Sequence, residues 1–472
     1  MKCKRFLAAS RLSSMFLLIM LLVLPFSGSP ASAHTSFPTP QKFRPSLLGI
    51  RPLTKYAIHL QQNTLLSCLG STTAPVCYTP QQIRRIYGIS PMLDVNVAGQ
   101  GRTIVIIDDY QSPTIGADLQ IFDRLFGLSD PSLHIFTPFG VHPYDPTNPA
   151  NVAFALEISL DVEWAHALAP DATIDLVLGN PADNSVQGQL NALIDATQYA
   201  VERNLGDVIS LSVGLGETCY NPDELRRWHT AFTLARDRQT TVLAASGDSG
   251  SAVTICDRPN HPVAEGQGVN YPGSDPLVSS VGGTTLQASR QGVYQSETTW
   301  NGSLMGEGST GGGFSELFPR PAYQDGISGI GQLRATPDVA YDGDPTTGFP
   351  VVSSSYMAGG SVLLPVGGTS AGTPQWAAII ALADQATQQR LGFLNGAFYR
   401  LSQNSLYKRG FHDVTVGNNA YSYRDVRAQL VTIPGFDAAT GWDAATGVGS
   451  PNAATLAPLL AKYRVPTDGD GL

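Results

Sequence analysis

In Thr241-Val-Leu-Ala-Ala-Ser-Gly-Asp248-Ser249-Gly250, an apolar run rich in small and β-branched residues stops at a Gly-Asp turn. That is the form of a buried strand with a polar side chain just past its carboxyl end. The run is one of a series. Thr103 to Ile107, Thr173 to Leu178, Val208 to Val213 and Leu277 to Val281 read the same way. Between them lie helical patterns at Ala117 to Phe126, Ala153 to Leu168, Val186 to Arg203, Asp223 to Arg238 and, further on, Pro374 to Arg390. This alternation predicts an α/β fold: a mostly parallel central sheet flanked by helices on both faces, with right-handed crossovers. In such sheets sites lie at the carboxyl ends of strands, which is where Asp248 stands. From Gly282 to Leu364 the pattern loosens into Gly-rich loops, and there is no internal repeat.

Composition suits a loop-rich globular protein. The 472 residues are 42% hydrophobic, ample for a core, and only 14% charged, against about 25% in ordinary domains. The chain carries 48 Gly and 33 Pro. Its net charge of −9 comes from scattered acids, and no Lys/Arg cluster is present to follow a phosphate backbone, which excludes a nucleic-acid partner.

Lys2, Lys4, Arg5 and Arg11 precede an apolar run from Met15 to Phe26 and the small-residue site Ala31-Ser32-Ala33. That layout predicts a secretory signal over residues 1–33 and an extracellular mature protein with no stable membrane insertion. Residues 34–76 are polar and Pro-interrupted and read as an N-terminal arm. The folded domain is expected over 77–465, opening with a helix capped by Thr79 and led by Pro80, and 466–472 read as a tail. Signal removal takes Cys3 away, and the remaining four cysteines allow three pairings. The local one, Cys68 with Cys77 and Cys219 with Cys256, is expected, with free buried thiols as the alternative.

Two further stretches carry chemistry. In Val366-Gly367-Gly368-Thr369-Ser370-Ala371-Gly372-Thr373-Pro374, a small-residue loop sets one hydroxyl at the mouth of a helix, which Pro374 is expected to begin. Ser370 is the candidate nucleophile; the plain alternative is a Gly/Ser turn capping a core helix. In Phe154-Ala-Leu-Glu157-Ile-Ser-Leu-Asp161-Val-Glu-Trp, Glu157 and Asp161 share one face of an apolar helix. Two acids so placed repel, raise one another's pKa and titrate as a unit.

Together these residues make the chain resemble the sedolisin, or serine-carboxyl peptidase, family. The matching pieces are Glu157-x-x-x-Asp161, Leu211-Ser212, Ser246-Gly247-Asp248-Ser249-Gly250, Gly282-Gly283-Thr284, Pro337-Asp338-Val339-Ala340, Gly368-Thr369-Ser370-Ala371 and Gly441-Trp442-Asp443, in family order. The resemblance implies a subtilisin-like fold and an acid-medium endopeptidase or tripeptidyl peptidase acting on proteins or peptides. It implies Ser370 as nucleophile, Glu157 as general base, Asp161 as its orienting partner, Asp248 in the oxyanion hole with the Ser370 N–H, and Asp108 as a supporting acid where many relatives carry Glu. It also implies one structural calcium ion in a C-terminal loop region, held by Asp413, Asp443 and the carbonyls of Val414, Ala439 and Gly441. Relatives commonly have Gly at the Ala439 position, Trp at the Val213 position, and a long N-terminal prodomain, for which residues 34–76 are too short. A monomer is expected.

Three rivals use the same residues. Gly368-x-Ser370-x-Gly372 matches the nucleophile elbow of secreted esterases and lipases, which would need Asp384 and His412 as partners. A Ser-His-Asp protease would need His134, His142 or His166. Gly247-Asp248-Ser249-Gly250 by itself matches the serine signature of all-β proteases, a fold the alternating pattern argues against. A calcium-stabilised scaffold without activity is the non-enzymatic alternative. Asn301-Gly-Ser reads equally as a glycan acceptor or a turn.

Overall fold

The computed structural model describes residues 68, 69, 71 and 76–464 apart from 358, 359 and 426, together with the backbone of 53–54 and 58–59. The expected signal, most of the arm and the tail lie outside the described residues. Eight strands make the central sheet: β1 (Thr103–Asp109), β2 (Ser132–Phe136), β3 (Thr173–Gly179), β4 (Val208–Leu211), β5 (Thr241–Ala245), β6 (Ser279–Ala288), β7 (Tyr294–Thr299) and β8 (Val339–Asp342). Their spatial order is β7-β6-β5-β4-β1-β3-β2, with β8 also paired to β6. Every pairing is parallel except β6 with β7.

Seven helices matter to the argument: α1 (Pro80–Ile86), α2 (Ile115–Phe126), α3 (Pro149–Leu168), α4 (Val186–Arg203), α5 (Pro222–Asp237), α6 (Thr369–Thr387) and α7 (Ala453–Tyr463). They cover both faces of the sheet, as a buried parallel sheet requires. Alternation along β1 shows how. Ile104 and Ile106 join the core built with α3, α6 and α7, while Val105 and Ile107 join the core built with α4 and α5. Each such side chain, fully buried, contributes about 1.5–3 kcal/mol. The same period of two turns Asp108 toward α3 and α6 and Asp109 away from them.

Local signals act as the sequence suggests at α1, where Thr79 and Gln82 form a capping box with Pro80 at the first position. The cysteines pair locally, Cys68 with Cys77 and Cys219 with Cys256. Two expectations need correction. The stretch from Gly282 to Leu364 is not mainly loop: it supplies most of β6, all of β7 and β8, and a second sheet of β9 (Phe349–Ser353) with β10 (Val362–Gly367). Its glycines mark close packing rather than irregularity. A Cβ at Gly283 would stand 2.7 Å from the Trp300 ring, and one at Gly282 would stand 2.8 Å from Pro337. The arm also takes part, since 53–54 and 58–59 pair antiparallel with β10.

The second correction concerns Pro374. It lies inside α6, not at its start, because the helix already begins at Thr369 after Gly368, whose φ is +111°. Ser370 is therefore itself helical.

Candidate active site

The site assembles where β1, β4 and β5 end and two helices meet them. Beyond β5, Gly247 has φ +119°, and a Cβ there would run into Asn270, whose amide donates to Ser246 O at 3.0 Å. That turn delivers Asp248 to the first turn of α6. Asp248 Oδ1 accepts from Thr369 N at 2.7 Å and from Thr369 Oγ1 at 2.9 Å. The Thr369 hydroxyl in turn accepts from Gly247 N at 3.1 Å. A carboxyl at a helix N-terminus is favoured by the helix dipole. Thr369 thus locks the Asp248 loop to the nucleophile's helix.

Ser370 follows Thr369 and is fully buried. Its Oγ faces the Glu157 carboxyl closely enough to favour that carboxyl's ionised form, without closing a hydrogen bond of ordinary geometry. Glu157 and Asp161 project from α3, a helix buried nearly all round, and Asp108 reaches them from β1. What little of this group meets solvent does so through Glu157 at 3% and Asp248 at 6% exposure.

Burial dominates the electrostatics. It pushes Glu157 well above the usual carboxylate range, reinforced by the charges of Asp161 and Asp248 and opposed by the hydroxyls of Ser370 and Ser212. It pushes Asp161 up as well, against the Ser212 hydroxyl. Asp108 rises for the same reason, with Asp161, Glu157 and Asp109 adding repulsion. Neither oxygen of Asp108 or Asp161 has a hydrogen-bond partner among the described residues, nor has Glu157 Oε1. Three buried acids coupled in this way do not all ionise together, and they titrate as a unit.

Other candidates lie elsewhere. His166 sits 3.2 Å from Asp123 between α2 and α3, His134 bonds Asp175 at 2.9 Å, and His142 bonds Pro181 O at 3.1 Å. Asp384 is on α6, roughly 21 Å along the axis from Ser370 at 1.5 Å per residue, and accepts from Leu391 N. His412 stacks on Tyr294 with ring centres 3.8 Å apart. The elbow reading therefore lacks its acid and base. Asn301 uses its amide to hold Asn418 O and Ala420 O, at 2.8 and 2.9 Å, as a turn residue would.

The residues implied for calcium converge on one loop. Asp413 Oδ1 accepts from Gly441 N at 3.0 Å and from the Tyr407 hydroxyl at 3.0 Å. Asp443 accepts from Ala439 N at 3.0 Å, Ala445 N at 2.9 Å and Thr446 N at 2.8 Å. Ala439 is not among the residues with positive φ, so a side chain there meets no left-handed backbone strain. Two carboxylates against a carbonyl-bearing turn are a hard-oxygen donor set of the kind calcium takes. Among the described residues no group of three or more His, Cys, Asp or Glu could hold a metal, so carbonyls would have to complete the shell.

Sequence reasoning gave Ser212 no role and Thr369 none beyond its place in a motif. The signal for Ser212 was its position one residue past the central strand β4. Val213, beside it, is 3% exposed.

The subtilase family model matches residues 153–405. Kumamolisin from Bacillus sp. (strain MN-32) is 35% identical over 419 residues, covering 86% of this chain and 68% of kumamolisin. Sedolisin from Pseudomonas sp. (strain 101) is 34% identical over 283 residues, covering 59% of this chain and 45% of sedolisin. The solved structure of Pseudomonas sedolisin, a serine-carboxyl proteinase complexed with two molecules of pseudo-iodotyrostatin, superposes with a TM-score of 0.68 at 28% identity, covering 82% of this chain and 99% of that one. Agreement in sequence with kumamolisin over most of the chain, and in backbone with sedolisin, makes this protein a member of the subtilase family and a serine-type peptidase.

Proposed function

We propose that this protein is an exported endopeptidase that cleaves proteins in acidic medium through an acyl-enzyme on Ser370. The observation that carries the reading is the Ser370 hydroxyl set against Glu157 in a buried group of acids, with no histidine partner among the described residues. Glu157 takes the Ser370 proton as Oγ bonds to the scissile carbonyl carbon. Asp161 and Asp108 keep Glu157 oriented and share its proton. The oxyanion forms beside the Ser370 N–H and a protonated Asp248 carboxyl, which donates only in that form. Glu157 then gives the proton to the leaving amine as the C–N bond breaks, and activates water for deacylation. Asp248 donates to the oxyanion only while protonated, so activity is confined to acidic medium, within which the coupled acids must still hold one charge to accept the Ser370 proton. Wild-type protein digests an unfolded protein substrate between about pH 3 and 5. Ser370→Ala, still folded by circular dichroism, leaves it intact; undiminished digestion by that variant sinks the mechanism.

Asp413 and Asp443, with the carbonyls of Val414, Ala439 and Gly441, hold one calcium ion that closes the C-terminal loop. Bound calcium at a hundredfold its Kd adds about 2.7 kcal/mol, so a chelator lowers the melting temperature and added calcium restores it. An unchanged melt in both conditions removes the ion from the proposal. Two disulfides fit an oxidising compartment and so support export.

A further inference from the structure

A helix places the N–H of residue i+4 on the carbonyl of residue i. At the nucleophile that donor is missing, because residue 374 is proline inside α6. Ser212 supplies a substitute: its Oγ donates to Ser370 O at 3.4 Å, a contact between segments 158 residues apart in sequence. Ser212 is 1% exposed and stands at the carboxyl end of β4, in the middle of the sheet. It closes no hydrogen bond of ordinary geometry with Asp161, but lies near enough to both acids of α3 to favour the ionised forms of Glu157 and Asp161 alike.

We propose that Ser212 is a positioning residue of this site: one hydroxyl fixes the main chain of the nucleophile and orients the two carboxyls that serve it. A serine hydroxyl has one proton to give and two lone pairs to receive. With the acid pair protonated, it donates to Ser370 O and accepts from a carboxyl. With the pair ionised, it turns and donates to the carboxylate. It therefore couples the charge of the pair to the seating of Ser370. The titratable groups around it are Glu157 and Asp161 from α3, Asp108 from β1 and Asp248 beyond β5.

This inference rests on the reading of Ser370 and Glu157 above, and its test separates the two. The full chain is compared with Ser212→Ala, Ser212→Cys and Ser212→Thr by kcat and KM on a fluorogenic peptide across pH, with thermal melts alongside. Cysteine keeps a polar side chain with only a weak donor; threonine keeps the hydroxyl. In the alanine and cysteine variants the acid limb of kcat/KM moves up by about half a pH unit or more, since a donor to the carboxylates is gone. Their kcat falls roughly tenfold while KM stays within about twofold. Threonine restores the limb. An acid limb that stays in place in both the alanine and cysteine variants, with any loss confined to the melting temperature, overturns the positioning role. If alanine does not fold, cysteine decides. Ser370→Ala is run beside them: its inactivity with an unmoved limb defeats only the Ser212 inference, whereas full activity defeats the mechanism beneath it.

Discussion

Helix α3 buries two groups of acids, and they are built differently. Toward its middle, Glu157 and Asp161 meet Asp108 and Ser370, with carboxyl oxygens that lack fixed hydrogen bonds. Toward its end, Glu163 and His166 face α2 and β9, where main-chain amides reach some of the acids. Glu163 Oε2 accepts from Val352 N at 2.9 Å, and His166 lies 3.2 Å from Asp123. Asp118 accepts from Thr114 Oγ1 at 2.7 Å and from Ser354 N at 2.9 Å. Glu157 in the first group and Glu163 in the second are both raised by burial, and both feel repulsion from neighbouring acids. The difference is in what holds the protons. Main-chain amides hold Glu163 and Asp118 in one arrangement, which is structural, although Glu163 Oε1, Asp123 and the His166 ring close no hydrogen bond of ordinary geometry among the described residues. The proposed mechanism needs protons of the first group to move between carboxyls and a hydroxyl, and Asp108 and Asp161, with no hydrogen bond fixed on them among the described residues, leave room for that.

The comparison can be broken most decisively with two glutamines. Glu157→Gln should lower kcat/KM roughly 10³- to 10⁴-fold with the fold intact, whereas Glu163→Gln should leave activity at the optimum within about twofold. Comparable losses in both would erase the distinction between a proton-transferring and a structural cluster. Next in size is the Asp123–His166 contact of the second group. Asp123→Ala leaves the buried His166 without its neighbour and should cost about 1–3 kcal/mol in urea unfolding, with unchanged activity per folded molecule. A cost below about 1 kcal/mol would mean that the pair holds nothing.

The smallest effect concerns pH. Burial raises Glu163 first of all, Asp118 and Asp123 add to it, and the Val352 N–H opposes it. A carboxyl whose folded pKa lies above its unfolded one contributes its stability in full below the unfolded pKa of about 4 and loses it as pH rises through the folded value. The fold should therefore weaken from mildly acidic to neutral pH. Glu163→Gln should flatten that slope by about 1.4 kcal/mol for each unit by which folding had delayed ionisation. Unfolding curves from pH 4 to 8 check this, and identical slopes would show that Glu163 titrates normally.

Much of this architecture was legible in the chain. Strands β1, β3, β4 and β5 and the helices between them follow from apolar runs and their period, because hydrophobic periodicity is local. Asp248 was legible as a polar residue closing an apolar strand, and Glu157 and Asp161 as neighbours on one helix face, whereas Asp108 entered through the family resemblance. The strands between Gly282 and Leu364 were not, because glycine at β6 is selected by Trp300 and Pro337, which touch it only in the folded state.

The sequence by itself determined which residues could act: one hydroxyl at a helix mouth, two acids a turn apart, an acid beyond a strand and cysteines spaced for local bridges. Tertiary structure decided how they meet. It drew Pro374 into α6, which stripped Ser370 O of its helical donor, and it brought Ser212 across from the central strand to replace that donor. The reason is physical: hydrogen-bond accounting for a buried carbonyl is settled by whatever packs against it, and neighbours remote in sequence leave no trace in local pattern.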